Sequence, residues 1–288
     1  MKRLALGTVQ FGLPYGVANQ QGQVSIETAT AILDCARANG IDTLDTAIAY
    51  GDSEQNLGKI GVDSFRVVSK LSEFPAELND VSDWVLESVE GSLERLKIPR
   101  LHGLLLHRPD QLLSPEGGKL YKAMNLLKEK GLVDKIGISI YHHSELEALF
   151  SPFPFDLVQA PFNVLDRSLD RSGWLSRLKE AGVEVHVRSI FLQGLLLMNS
   201  SARPPYFERW RLLWEQWEQW LIDSGLTALQ ACINCVLSKD IDRVVVGVDC
   251  LSQLEEILVA TAGEWSELPD NLCCDDPDLI NPSRWKLK

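Results

Sequence analysis

Four side chains in this sequence could together reduce a carbonyl group: the Asp45 carboxylate, the Tyr50 phenol, the Lys70 ammonium and the His107 imidazole. When a hydride attacks a carbonyl, negative charge builds on the oxygen, so a side chain must donate a proton to it. A free tyrosine, with a pKa of about 10, holds its proton too tightly, and a nearby ammonium lowers that pKa. A carboxylate would fix the ammonium in place, and a neutral imidazole would hold the carbonyl oxygen in line.

The positions of these four residues predict that they converge in space. Asp45, Lys70 and His107 each end a short apolar run that is typical of a β-strand, and Tyr50 lies in the loop after Asp45. In a parallel barrel the strand ends share one rim, where active sites lie. Each residue alone also has an ordinary structural explanation, but four complementary groups at successive strand ends favour catalysis.

Eight strand-like runs alternate with longer amphipathic segments along the 288 residues. The runs are Leu4–Gln10, Ile41–Ala47, Phe65–Lys70, His102–His107, Lys135–Ile140, Asp156–Pro161, Glu184–Ser189 and Arg243–Val248. The predicted helices are Ile26–Asn39, Val81–Leu96, Gly117–Lys130, Ser144–Phe150, Asp170–Ala181, Thr227–Ser238 and Leu251–Ala262. This pattern predicts a (β/α)₈ TIM barrel, an α/β fold, in a single domain over residues 1–288, with an acidic tail from about 264 to 288. A doubly wound open sheet would need a glycine-rich phosphate turn after its first strand, and Gly7, Gly12 and Gly16 do not have that spacing.

Composition excludes several classes of protein. The formal net charge of −12 and the absence of a long Lys/Arg run argue against a nucleic-acid-binding surface. No stretch approaches the roughly 20 apolar residues of a membrane span, and the apolar start of the chain is too interrupted for a signal peptide. A cytoplasmic protein is therefore expected, with no membrane partner. The oligomeric state cannot be read from the sequence.

Six cysteines raise the question of redox or metal chemistry. Cys232 and Cys235 have the spacing of half a zinc or redox site, but they lie in a helical pattern without a second pair. We therefore expect buried thiols there and no metal. Cys273 and Cys274 lie in the acidic tail and are expected to be exposed.

Residues 206–222 contain an aromatic stripe. Trp210, Trp214 and Trp217 share one helical face, and Trp220 lies beside it. Packing against the outside of the barrel is the favoured interpretation. A substrate lid and an oligomer contact are the functional alternatives, and the packing of Trp220 should distinguish them.

Several motifs cover nearly the whole chain. They are Gly7–Gly12, Gly40–Ala47, Ala49–Glu54, Val68–Lys70, Ser92–Leu96, Leu104–Asp110, Lys135–Ser139 and Val158–Gln159. With these motifs the chain resembles the aldo-keto reductases. The resemblance implies an NAD(P)H-dependent reduction of an aldehyde or ketone, in which Tyr50 is the acid/base, Lys70 and Asp45 tune it, and His107 orients the carbonyl.

The same resemblance implies a nicotinamide cofactor, NADP or NAD, bound across the barrel rim without a Rossmann motif. The residues implied to bind it are Thr8, Asp45, Ser139, Gln159, Arg188, Ser189, Phe191, Gln193, Gly194, Gly247, Ser252, Gln253 and Glu256. Among these, Ser139 and Gln159 match positions that hold the carboxamide. The positions after strand seven match the pyrophosphate loop, and those after strand eight match the adenosine end.

The sequence departs from the family pattern at several cofactor positions. Ile140 and Ile257 replace common asparagines, and Arg188 stands where many members stack an aromatic ring on the nicotinamide. Asp249 lies where NADP-preferring members often carry Lys or Arg, which predicts a weakened NADP preference because a carboxylate repels a 2′-phosphate. The alternative is that Asp249 faces solvent and a remote base, Arg243 or Arg284, serves the phosphate.

The barrel's amino-terminal end is a further departure. Family members commonly begin with a β-hairpin that plugs it, whereas the first strand here begins at Arg3 or Leu4. Side chains or another segment must then close this end.

Two other functions compete with the reductase. One is a regulatory or scaffold subunit with the same barrel and little turnover, for which the Trp-rich segment would be a docking face. The other is a metal-dependent barrel enzyme that uses His107, His142, His143 and His186. The loop walls of a reductase, with Arg108, Arg188 and the aromatic Tyr15 and Tyr141, favour a small polar or anionic carbonyl substrate such as a sugar derivative.

Overall fold

Eight parallel strands close into a barrel in the part of the chain that the computed structural model describes, residues 3–75, 80–263 and 267–287. The strands are β1 (Leu4–Gly7), β2 (Thr43–Asp45), β3 (Arg66–Leu71), β4 (Leu101–Leu106), β5 (Val133–Ser139), β6 (Leu157–Pro161), β7 (Glu184–Arg188) and β8 (Arg243–Gly247). They pair in chain order, and β1 pairs with β8 through Leu4–Val244 to Gly7–Gly247. The predicted (β/α)₈ barrel is confirmed, and closure rules out the open doubly wound sheet.

The helices surround the barrel. They are α1 (Ile26–Ala38), α2 (Ser53–Ile60), α3 (Val81–Leu96), α4 (Gly117–Glu129), α5 (Glu145–Leu149), α6 (Ser168–Arg171), α7 (Trp174–Glu180), α8 (Arg211–Ser224), α9 (Ala228–Leu237), α10 (Leu251–Ala260) and α11 (Pro277–Ile280). The single predicted helix 170–181 is wrong, because Gly173 adopts φ 78° and divides it into α6 and α7. Helix α2 was not predicted from the sequence.

Side chains of alternate strand residues fill the barrel in layers. A small apolar cluster of Val68, Leu105 and Leu157 lies apart from the main core that packs the helices on the strands. Two residues further along β3 and β6, Lys70 and Gln159 point the same way, because side chains alternate along a strand. The apolar layer therefore supports a polar layer at the carboxyl-terminal rim.

Ionic side chains lie at the opposite, amino-terminal end of the barrel, where β1 begins at Leu4. Glu184 binds Lys135, and His186 Nε2 lies 2.7 Å from Glu184 Oε1. Burial alone would raise the pKa of Glu184. Hydrogen bonds from His102, His186 and Lys135 outweigh burial and hold the pKa of this carboxyl well below its usual range. Arg243 donates to Thr43 Oγ1 at 3.0 Å across the same end.

The Trp-rich segment packs within the molecule. Trp214 and Trp217 are buried, and Trp217 donates to the Leu196 carbonyl at 3.4 Å. Trp220 stacks on Trp217, with ring centroids 5.6 Å apart and planes 12° from parallel. The packing interpretation is therefore favoured.

The described part of the acidic tail covers the other side of this segment. Trp210 Nε1 donates to Asp276 Oδ2 at 3.1 Å, and the rings of Phe207 and Trp285 meet edge to face at 4.9 Å. Leu272 and Leu279 are fully buried. Residues 264–266 and 288 of the predicted tail lie outside the described residues.

Cys232 and Cys235 are buried, and burial disfavours the thiolate, which is the reactive form of a cysteine. Burial raises the pKa of Cys235 to about 12 and that of Cys232 well above its usual value. Cys273 and Cys274 are half-buried rather than exposed. In the part of the chain that the structure describes, no three His, Cys, Asp or Glu side chains are grouped to hold a metal ion.

The length and hydropathy of the helices bear on whether the chain could cross a membrane. No single helix among the described residues is long and apolar enough to cross a bilayer. Two consecutive segments, Pro205–Ser224 and Ala228–Leu237, are long and apolar enough when they are counted together. The chain bends by 88° between them.

Glu54 ties helix α2 to its neighbours. The carboxylate is buried, and one oxygen accepts from Ser69 Oγ and Ser92 Oγ, each at 2.6 Å. The other oxygen accepts from Arg95 Nε at 2.9 Å. Because α2 follows the Tyr50 loop directly, this network also fixes where that loop ends.

Replacing Glu54 with glutamine should therefore lower the free energy of unfolding by about 2–3 kcal/mol, since an amide cannot accept all of these bonds. Urea unfolding would measure the change. Glu87→Gln, on the exposed face of α3, is the control and should change stability by less than about 0.5 kcal/mol. An equal loss in both variants would contradict a specific role of the network.

Candidate active site

A cavity of about 1030 Å³ opens at the carboxyl-terminal rim. Asp45, Tyr50 and His107 line it, together with the loops that follow β7 and β8. Typical ligand pockets have volumes of about 300–1,000 Å³, so this cavity has room for a ligand larger than an ordinary small substrate.

Lys70 and Asp45 form a buried ion pair at the base of the cavity. Lys70 Nζ lies 2.7 Å from Asp45 Oδ2, and the two side chains are 1% and 6% exposed, so water screens the pair little. Burial alone would lower the pKa of Lys70, but the charge of Asp45 and the proximity of Tyr50 outweigh it and raise that pKa. The ammonium therefore stays charged, with Nζ 5.1 Å from the centroid of the Tyr50 ring.

A tight turn holds Tyr50 over this pair. The Tyr50 N–H donates to the Ala47 carbonyl, and the Tyr50 carbonyl accepts from the N–H of Ser53 at the start of α2, each at 3.0 Å. The backbone of Gly12 presses against the turn so closely that a Cβ atom there would lie 1.8 Å from the Tyr50 carbonyl oxygen. Only glycine fits at this position, which explains the glycine at the end of the first motif.

His107 faces Tyr50 across the cavity. Their ring centroids are 6.0 Å apart, with the planes at 80°. Burial lowers the pKa of His107 to about 4, and the charges of Lys70 and Arg188 add to the effect. The imidazole is therefore neutral at physiological pH and can donate one N–H to a carbonyl oxygen.

The two predicted carboxamide residues join the same hydrogen-bond chain. Gln159 Nε2 donates to Asp45 Oδ1 at 2.6 Å, and Ser139 Oγ donates to Gln159 Oε1 at 3.1 Å. Both side chains are buried and, like Lys70, lie below the cavity rather than in its lining. Gln159 therefore helps to hold the Asp45 carboxylate in position, and Ser139 in turn orients the Gln159 amide.

Most of the other predicted cofactor residues line the cavity. These are Thr8, Arg188, Ser189, Phe191, Gln193, Gly194, Gly247, Gln253 and Glu256. Ser252 differs, because it lies exposed on α10 with its hydroxyl 3.2 Å from Cys250 Sγ and is not part of the lining. Ile257, one of the departures, also lines the cavity.

The loop after β7 has a strained backbone. Ser189, Leu192 and Gln193 adopt positive φ angles of 60°, 49° and 55°, although none is glycine. Each such residue costs on the order of 1–3 kcal/mol, and strain of this kind clusters at ligand-binding sites. Two observations fit a bound dinucleotide cofactor. The strained loop faces the cavity, and the buried Gln10 Oε1 in the cavity wall has no hydrogen-bond partner among the described residues.

The loop after β1 reaches across to the loops after β7 and β8. Gln193 Nε2 donates to the Tyr15 hydroxyl at 3.0 Å, and Asn19 Nδ2 donates to Asp249 Oδ1 at 2.9 Å. Burial raises the pKa of Asp249, with hydrogen bonds from Asn19 opposing the shift. Asp249 is therefore part of the cavity wall and does not simply face solvent.

The two remote bases considered for a 2′-phosphate lie elsewhere. Arg243 is at the amino-terminal end of the barrel beside Asp42, at 3.3 Å, so it cannot reach this cavity. Arg284 pairs with Asp278 at 2.9 Å and is not among the lining residues, although the neighbouring Ser283 is.

Arg188 is the single Lys or Arg in the lining that the structure describes. Its Nη2 donates to the Ile140 carbonyl at 2.9 Å, and its guanidinium carbon lies 5.0 Å from the centroid of the Tyr141 ring. The guanidinium therefore reaches from β7 toward the loop after β5, on the side of the cavity that holds His107.

The histidines of the metal-enzyme alternative do not come together. His186 is buried at the amino-terminal end against Glu184, whereas His107 is at the opposite rim. His142 and His143 lie against each other in the loop after β5, with ring centroids 4.0 Å apart.

Sequence reasoning missed several residues of the cavity wall. Gln10 belongs to the first motif, and its position before a glycine-rich loop was the only signal. Leu221, Leu226 and the start of α9 also line the cavity, as does Ser283. Leu221 belongs to the Trp-rich segment 206–222, for which a substrate lid was one of the alternatives, whereas no local pattern indicates the approach of the other segments.

Comparisons with known proteins find a matching family and several partial relatives. A family model described as the aldo/keto reductase family matches residues 3–267. Aldo-keto reductase YhdN of Bacillus subtilis (strain 168) is 28% identical over 186 residues, which cover 59% of this chain and 53% of that protein. D-arabinose 1-dehydrogenase of Saccharomyces cerevisiae is 31% identical over 119 residues, 38% of this chain and 36% of that protein. The matches therefore span about half the length of these curated relatives, or less.

A solved structure shows the same fold. Aldo-keto reductase AKR11C1 from Bacillus halodurans, in its holo form, superposes with a TM-score of 0.72 and 21% sequence identity. The match covers 92% of this chain and 88% of that one. At this level of identity the likeness concerns the fold alone.

Proposed function

The chain belongs to the aldo/keto reductase family, and from that premise we propose that it is an NAD(P)H-dependent reductase of aldehydes or ketones in which Tyr50 is the general acid. The observation that carries the proposal is the buried Lys70–Asp45 ion pair beneath the Tyr50 ring, at the base of a rim cavity. An oxidoreductase of this type needs a cation in that place, because the phenol must lose its proton during the reaction.

Each of the four catalytic residues has a separate role in the proposed reaction. His107, neutral because its pKa is about 4, donates an N–H to the substrate carbonyl oxygen and holds it near Tyr50. Tyr50 Oη donates its proton to that oxygen as negative charge builds there. The Lys70 ammonium stabilises the phenolate that remains, and Asp45 holds the ammonium in place.

The cofactor, when bound, supplies the hydride for the carbonyl carbon. The strained loop with Ser189 and Gln193 would hold its phosphates, and Gly247 and Gln253 would lie at its adenosine end. On the pattern of the family the Gln159 amide and the Ser139 hydroxyl would hold the carboxamide, which requires them to exchange the bonds that they make in this structure to Asp45 and to each other.

We also propose that NAD binds more tightly than NADP. Asp249 and Glu256 both line the adenosine end, where the described lining contains no Lys or Arg. A 2′-phosphate there would lie beside carboxylates, which repel it, whereas a free ribose hydroxyl can donate to a carboxylate.

Fluorescence titration should show NAD binding at least tenfold more tightly than NADP, a difference of about 1.4 kcal/mol. Asp249→Asn removes the charge but keeps the shape of the side chain, so it should strengthen NADP binding and narrow the gap. Asp240→Asn, an exposed substitution near the start of β8, is the control and should leave the gap unchanged. A tenfold advantage for NADP in the unmodified protein would contradict the proposal.

The substrate is proposed to be a small, polar, sugar-like carbonyl compound. Tyr15, Tyr141, Arg188 and His107 give the cavity wall hydrogen-bond donors around the catalytic groups. A relative named D-arabinose 1-dehydrogenase is consistent with such a substrate.

A cofactor oxidation assay with a panel of aldehydes, ketones and sugars tests the proposed function. We expect saturable loss of absorbance from NADH with at least one carbonyl compound. Cofactor binding without turnover on any member of the panel would instead support the regulatory or scaffold subunit.

A further inference from the structure

The guanidiniums of Arg188 and Arg108 both lie near the Tyr141 ring, on the His107 side of the cavity. Their central carbons are 5.0 and 5.8 Å from the centroid of that ring. Arg108 directly follows His107 in the sequence, and Arg188 ends β7, so two separate elements bring these cations to one place. Neither arginine forms an ion pair with a carboxylate among the described residues.

Among the described residues Arg188 has no carboxylate partner, and a shortage of acidic side chains does not explain this. The chain has 40 acidic and 28 basic residues, a net charge of −12, so carboxylates are in excess. Arg203, also largely buried, pairs with Glu218 at 2.8 Å, as expected for a cation removed from water. Arg188 is half-buried in the cavity wall, and within the described part of the chain its side-chain hydrogen bonds go to two neutral groups, the Ile140 carbonyl and the Ser189 hydroxyl.

Donors remain on Arg188 for a ligand. A guanidinium has five N–H donors in a planar fork that matches a carboxylate or phosphate. The two bonds to Ile140 and Ser189 fix the orientation of the fork and leave other N–H groups unused. The charge reaches the reacting groups as well, because Arg188 is among the causes of the lowered pKa of His107.

We propose that the cavity wall around Arg188 is an anion subsite, in which Arg188, assisted by the exposed Arg108 from outside the lining, binds an acidic group of the carbonyl substrate. The inference rests on the proposed reductase function and specifies its substrate as a carbonyl compound that carries a carboxylate or a phosphate. The acidic group binds beside Tyr141 while the carbonyl lies between His107 and Tyr50.

Matched substrate pairs test the subsite. For the carboxylate, 4-carboxybenzaldehyde is compared with its uncharged amide, 4-carbamoylbenzaldehyde. For the phosphate, glyceraldehyde 3-phosphate is compared with glyceraldehyde. We expect kcat/KM to be about tenfold or more higher for the charged member of at least one pair, since hydrogen bonds between two charged groups are stronger than those to a neutral group. The pair that shows the preference identifies the acidic group.

Arginine variants then locate the preference. In Arg188→Met the ratio of kcat/KM for the charged member to kcat/KM for the uncharged member should fall about tenfold. In Arg108→Met the same ratio should fall only severalfold, because the Arg108 side chain is exposed and water screens its charge. The ratio is informative whatever the variant does to cofactor binding, because both members use the same cofactor. Arg100→Met, at the amino-terminal end of β4 and paired with Asp134, is the control and should leave the ratio unchanged.

Several results would overturn the subsite. No preference for the charged member in either pair would do so, as would a preference that survives in both variants. A loss in Arg188→Met that is equal for both members, together with weaker cofactor binding, would assign Arg188 to the cofactor instead. Failure to reduce any carbonyl compound would overturn the proposed function itself, and so is distinguishable from failure of the subsite.

Discussion

Replacing Tyr50 with phenylalanine should lower kcat by about 10²–10⁴-fold, the usual contribution of a positioned general acid. The substitution removes only the hydroxyl, so the ring keeps its edge-to-face contact with His107 and its place above Lys70. Binding of the cofactor should change by less than twofold. Steady-state rates and fluorescence titration would measure the two effects separately.

Tyr121→Phe is the matched control for this variant. The Tyr121 hydroxyl donates to the Pro154 carbonyl on the outside of the barrel, far from the cavity lining. Its loss should leave kcat within about twofold. A Tyr50→Phe protein that is fully folded and keeps more than a tenth of its rate would show that another group supplies the proton.

Replacing Lys70 with methionine should affect both stability and turnover. Methionine has a similar length but no charge, so Asp45 would be left buried, with hydrogen bonds but without a countercharge. Breaking a buried ion pair in this way costs about 3–5 kcal/mol of stability. Turnover should fall by at least 10²-fold, because no cation would stabilise the phenolate of Tyr50.

A double variant separates the two effects. Lys70→Met with Asp45→Asn removes both charges, so much of the lost stability should return, whereas turnover should stay low. Lys119→Met, at an exposed pair with Glu116, is the control and should change the free energy of unfolding by less than about 1 kcal/mol. Recovery of turnover in the double variant would contradict the assigned role of the ammonium.

The sequence predicted the barrel well because its strands are buried on both faces. Each strand is then a nearly continuous apolar run, and polar residues such as Asp45 and Lys70 stand out where a run ends. In a parallel barrel the carboxyl ends of all strands lie on one rim, so the positions of these residues at strand ends predict that they lie close together even when the loops are unknown.

Other features depended on contacts that no local pattern reveals. The Gln159–Asp45 hydrogen bond joins residues 114 positions apart and follows from strand register. Helix α2 is short and follows the Tyr50 turn directly, and its first residues, Ser53 and Glu54, were identified only as the end of the motif Ala49–Glu54. Gly173 breaks a helical pattern only because it adopts a positive φ angle, which its sequence neighbours do not dictate.

Contacts between the loops were the feature that the sequence predicted least. The contacts of Tyr15 with Gln193 and of Asn19 with Asp249 join segments after three different strands. The ionic contacts around Glu184 are equally non-local, since they draw on β5 and β7. Both features require the barrel to be closed before they can be seen.

Transfer of an isotopic label tests the central claim most directly. The purified protein is incubated with a carbonyl compound from the panel and with NADH or NADPH in which both hydrogens on C4 of the nicotinamide are deuterium, and the alcohol product is analysed by mass spectrometry. We predict that the alcohol gains one deuterium on its carbinol carbon, and that Tyr50→Phe yields almost none of this product. An alcohol without deuterium, or the same labelled yield from Tyr50→Phe, would contradict carbonyl reduction with Tyr50 as the acid.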